Sequence, residues 1–277
     1  MKNEVLYIRE DIVLFFLLIL LFSLPLWVAE HFIHVSALPD NLPITDVVAT
    51  FVPMLSGFIL YRSRNRGVGS EFIKKAVDFG KIRKPEWMIL LVLMMPLLFL
   101  ITYLLMQIFG IDFPDNYRIP VVTPLLFIGY LIAAAGEEMG YMGYAMNRLL
   151  RVADPLKAGF VIGVFWAFWH LPSMIQLGQP PVLIIWGLMA TIAIRVIYTW
   201  LFIKINQSVF GIILVHAIFN TSRSIFPGGR VYFEKYNGIV GYTLIILFCI
   251  LILLLWKKRE AGNDDVKSMQ HHRSLLI

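Results

Sequence analysis

Several stretches of this chain are apolar for long enough to cross a lipid bilayer, and no other feature constrains the fold as much. Eight apolar segments fall at about 12–29, 45–61, 88–110, 121–146, 158–175, 182–203, 208–222 and 239–256. A helix needs about 20 apolar residues to cross the hydrocarbon core. The chain is 59% hydrophobic and 15% charged, against about 45–50% and about 25% in soluble domains. The expected fold is an all-α integral membrane protein, a bundle of about eight transmembrane helices. Residues 1–256 form a single polytopic membrane domain, and 257–277 form a polar cytoplasmic tail expected to be disordered. The leader before the first segment carries Glu4, Glu10 and Asp11, and no Ala-x-Ala site follows. That segment is therefore read as a retained helix rather than a signal peptide.

Loop charges orient the bundle. With the N-terminus inside, 19 Lys and Arg fall on the cytoplasmic side and 4 (Arg118, Arg223, Arg230 and Lys235) on the other, with Arg195 within a span. Cytoplasmic loops carry the excess of positive charge, so the topology is N-in/C-in. The same placement argues against nucleic acid as a partner, because the basic residues flank membrane segments. The single Cys249 cannot form an internal disulfide. Residues 62–87 read equally well as an amphipathic surface helix or a solvated basic loop. Pro25, Pro53, Pro96 and Pro124 fall within spans and are candidate kinks. His31 and His34 belong to an outer loop and suggest no function.

The stretch AAAGEEMGYMGY, residues 133–144, places Glu137 and Glu138 inside an apolar span. A charge at the centre of a spanning helix costs about 2.5–3.5 kcal/mol, so such residues are functional by default. Neighbours on a helix point about 100° apart, so the pair divides: one carboxylate can face a water while the other braces a neighbour. Gly136 and Gly140 form a small-xxx-small face, with Gly129, Ala133 and Gly143 nearby, which allows a close helix approach. In FWAFWHLP, Trp166 and His170 are four apart; in HAIFN, so are His216 and Asn220. Such pairs share a helix face. Counted from the basic residues that end each span, Glu137, His170, His216 and Arg195 lie at a similar depth, roughly 14–20 Å from the cytoplasmic boundary. An acid and two imidazoles at one level, with the Asn220 amide on the face of His216, supply a base, a group to orient water and donors for an oxyanion. The residues alone also permit zinc held by Glu137, His170 and His216, or a proton-coupled transporter, though no inverted repeat is visible.

GEEMGYMGY, FWAFWHLP and HAIFN, in this order, resemble the CPBP family of CAAX proteases and bacteriocin-processing proteins, also called Abi, which are intramembrane glutamic endopeptidases. The resemblance covers about residues 85–256. It implies that Glu137 and His170 activate the attacking water, that His216 and Asn220 stabilise the oxyanion, and that Glu138 supports them. It implies no cofactor, with zinc as the alternative. The implied partners are the lipid bilayer and a membrane-associated peptide or protein substrate, prenylated or bacteriocin-like. The implied location is a cell membrane, as a multi-pass protein of the bacterial plasma membrane. The family pattern Glu-Glu-x-x-x-Arg has Met142 in place of its Arg. Arg195, at similar depth, is the candidate replacement, and a catalytically inactive scaffold or immunity protein is the alternative reading.

Overall fold

The computed structural model describes residues 2–30, 32–33, 43–64, 69–114, 117–230, 233 and 238–274; His31 and His34 lie outside them. The helices are α1 (Lys2–Glu30), α2 (Ile44–Ala49), α3 (Val52–Arg64), α4 (Ser70–Lys74), α5 (Pro85–Ile108), α6 (Thr123–Gly140), α7 (Asn147–Leu149), α8 (Pro155–Gln176), α9 (Pro181–Lys204), α10 (Val209–Ser224) and α11 (Gly238–Ser274). A π-helical stretch, Tyr141–Met146, joins α6 to α7. All eight apolar segments are helical. Among the described residues, seven helical spans are long and apolar enough to cross a membrane, α2–α3 and α6–α7 each counting as one; α10 is shorter and largely buried.

Local chemistry sets the helix starts. α5, α8 and α9 begin on Pro85, Pro155 and Pro181, where the missing N–H falls among first-turn donors that lack a helical partner anyway. Asp154 accepts from the Lys157 amide at 3.0 Å and Ser208 from the Gly211 amide at 3.2 Å, capping α8 and α10. Pro25, Pro96 and Pro172 lie inside helices, while Pro53 and Pro124 fall in the first turns of α3 and α6.

Two expectations are corrected. Within 62–87, residues 70–81 form α4 and two 3₁₀ turns, helical with one buried face as the amphipathic reading has it, but in three short pieces rather than one helix. Phe72 anchors them, fully buried against Phe58 and Tyr61 at ring distances of 6.0 and 5.5 Å. α11 runs on to Ser274, so the polar tail expected to be disordered continues the last helix. Its Lys, Arg, Glu, Ala and Gln are good helix formers, and no Pro interrupts them.

Contacts sort the helix ends into two faces. At the basic end, Arg148 pairs with Asp11 at 3.3 Å, and Asn206 donates to the Lys81 carbonyl at 2.9 Å. At the far end, Gln176 donates to the Trp27 carbonyl at 3.0 Å, Tyr130 bonds Ser224 at 2.6 Å, and Ser173 bonds Asp46.

α6 lies against the α2–α3 junction because two glycines allow it. A Cβ on Gly136 would meet the Thr50 carbonyl oxygen at 2.6 Å, and one on Gly140 would collide with the Pro53 backbone. Gly129 faces open space and Gly143 has only ordinary contacts, so they do not share this role. Gly140→Ala is expected to destabilise the protein by about 1–3 kcal/mol through overpacking, read as a lower melting temperature in detergent. An unchanged melting temperature would contradict the close approach.

Candidate active site at the floor of a cavity

The Glu pair sits one turn before the π-helical stretch. π-turns inside α-helices occur often at functional sites. This one is held from outside the turn. Asn147 Nδ2 donates to the carbonyls of Met142 and Gly143 at 2.9 and 3.1 Å, and Lys75 Nζ donates to the Gly143 carbonyl at 2.6 Å. Burial of Lys75, with the Arg148 charge close by, pushes its ammonium down to about 8. Met142 is fully buried.

The two carboxylates diverge as the helix angle requires. Glu137 Oε2 accepts from Trp166 Nε1 at 2.7 Å. Glu138 points elsewhere: its Oε1 meets His216 Nδ1 at 2.8 Å and its Oε2 meets Arg195 Nη1 at 2.6 Å. Glu138 and Arg195 are both fully buried. The Arg195 guanidinium also lies 4.0 Å from the Trp166 ring and 4.9 Å from the Tyr141 ring, within cation–π range. Trp166 stands edge-on to both imidazoles, its ring 5.1 Å from His170 and 5.6 Å from His216.

A cavity of about 630 Å³ reaches this cluster, and Glu137, Trp166, His170, His216, Asn220 and Arg223 are among its lining residues. Glu138 and Arg195 are absent from its wall. The structure thus brings the five expected residues together. Four of them line one cavity, and the fifth, Glu138, lies behind it holding His216. Arg195 reaches Glu138 across helices, from α9 to α6. Asn220 Oδ1 accepts from Arg223 Nη2 at 3.1 Å. Among the described residues, no three His, Cys, Asp or Glu side chains are arranged to hold a metal ion.

The sequence pairs Trp166 with His170 on one helix face but gives no role to its indole N–H, which bonds Glu137. Two further residues go unmarked in the sequence. Arg223 sits three residues after Asn220 and seven after His216, a spacing that marks one helix face. Ser173, three residues after His170, ties α8 to Asp46 on α2.

Fold and site together define a polytopic helical membrane protein with an acid–imidazole–amide centre buried at the end of an apolar cavity. Residues 119–222 match a family model described as type II CAAX prenyl endopeptidase Rce1-like. A CAAX prenyl protease 2 from Methanococcus maripaludis is 25% identical over 263 residues, covering 88% of this chain and 94% of that protein. Both likenesses agree with the CPBP family that the three motifs resemble.

Proposed function

We propose that this protein is an intramembrane endopeptidase that hydrolyses a peptide bond of a membrane-associated substrate, a CAAX-type prenylated peptide being the first candidate. The observation that carries this reading is the division of the Glu pair: Glu137 faces the cavity with His170, His216 and Asn220, while Glu138 is buried against Arg195 and His216. In the proposed reaction, Glu137 takes a proton from a water oriented with His170, and the oxygen attacks the scissile carbonyl carbon. The negative charge develops on the carbonyl oxygen, where Asn220 Nδ2–H and His216 Nε2–H donate to it. His216 donates from Nε2 when its ring is protonated at both nitrogens, with Nδ1 facing the Glu138 carboxylate at 2.8 Å. The C–N bond then breaks, and the proton held by Glu137 passes to the leaving amine. A cavity of about 630 Å³ suits a peptide segment, since ligand sites span ~300–1,000 Å³.

The reading is tested with purified protein, a farnesylated CAAX peptide and a strong chelator. Cleavage that persists in chelator is the expected result. Cleavage lost in chelator and restored by zinc would instead favour a metal held by Glu137, His170 and His216. No cleavage under either condition would count against this substrate class.

A further inference from the structure

The cavity has a closed end and an open end, and loop charge says which side of the membrane each faces. Residues lining it include Trp27 on α1, Asp46 on α2, Tyr130 on α6, Gln179 after α8, Arg223 on α10 and Tyr242 on α11. Each lies at or towards the far end of its helix, opposite the basic end. The deepest lining residues are Glu137, Trp166, Ile194 and His216. Immediately beyond them, towards the basic end, lie Glu138 and Tyr141 on α6 and Arg195 and Tyr198 on α9, all with essentially no exposure. The site is therefore sealed towards the basic end and reached from the far end.

The basic end carries 19 of the 24 Lys and Arg residues. Short loops with such an excess stay on the cytoplasmic side. Joining the two observations, we infer that substrate reaches Glu137 from the non-cytoplasmic face of the membrane. The inference rests on the peptidase reading and narrows its substrate class to a segment already exported, or anchored in the non-cytoplasmic leaflet. α6 adds the means for an anchor. Leu125, Ile128 and Ile132 line the cavity yet are 70%, 52% and 54% exposed. The wall is thus partly open sideways, so an apolar anchor can remain in lipid while the polypeptide turns down to the carboxylate.

Cysteine labelling tests the direction without any substrate. In a Cys249→Ala background, Thr191→Cys places a thiol in the cavity wall, and Lys157→Cys places one at the exposed basic end. Gln179→Cys, at the cavity rim, serves if Thr191→Cys does not reach the membrane. Right-side-out and inside-out membrane vesicles are treated with a sulfonated, membrane-impermeant maleimide. The expected result is labelling of Thr191→Cys in right-side-out vesicles and its loss in inside-out ones, with the reverse pattern for Lys157→Cys. Labelling of both thiols from one side would overturn the inference, and so would a cavity thiol labelled from neither side. The readout is independent of cleavage. Failure to cleave any peptide would sink the peptidase reading and leave the access side standing, whereas the wrong labelling pattern sinks the access side alone.

Discussion

Replacing Arg195 with Met is expected to destabilise the protein by about 3–5 kcal/mol, because it strips the cation from a fully buried carboxylate. Arg195 Nη1 and Glu138 Oε2 lie 2.6 Å apart with neither side chain exposed. Methionine fills similar space but leaves Glu138 with only His216 to offset its charge. Adding Glu138→Gln to Arg195→Met should recover much of the loss. The side chain is then neutral, and its amide oxygen can still accept from His216 Nδ1. Unfolding of the three variants in detergent, by heat or denaturant, measures the coupling directly. If Arg195→Met is as stable and active as wild type, Arg195 does not replace the family cation missing at Met142.

Much of this was legible in the chain, and the reasons differ between elements. Long apolar runs have few alternatives in lipid, and all eight became helices. α10, at 16 residues, is shorter than the spans, and most of its residues are buried by other helices. The Glu137/Glu138 division follows from a 100° helix step and needs no tertiary information. Arg195 was findable by depth alone, since α9 carries one ionisable group at the level of Glu138. Other features depend on partners far along the chain. The π-helical stretch is held partly by Lys75, 68 residues away from Gly143, and no local pattern announces that contact. Trp166 looks like any packing aromatic until its N–H meets Glu137 across 29 residues. The α4 segment fits neither expected reading in full because buried Phe72 and polar contacts from Lys75 and Lys81 to distant residues dock it. The tail was misjudged because its polarity was read as disorder, although its residues suit a helix already running from α11.

The largest kinetic effect is expected at Glu137. Removing a general base costs about 10²–10⁴-fold in rate, and Glu137→Gln removes the only Glu carboxylate among the described residues of the cavity wall. The substituted amide keeps an oxygen for the Trp166 N–H, now 2.7 Å from Glu137 Oε2, so stability should change little. Glu138→Gln is expected to behave differently. It leaves Arg195 buried without its countercharge, and it lowers stability as well as rate. The two substitutions are the same chemical change one residue apart, so any difference between them reports position. The most direct test therefore measures cleavage rate and melting temperature for Glu137→Gln and Glu138→Gln, prepared alike, against one membrane-anchored peptide. The account predicts a Glu137→Gln protein that melts like wild type and scarcely cleaves. A Glu137→Gln protein that still cleaves at the wild-type rate would contradict it.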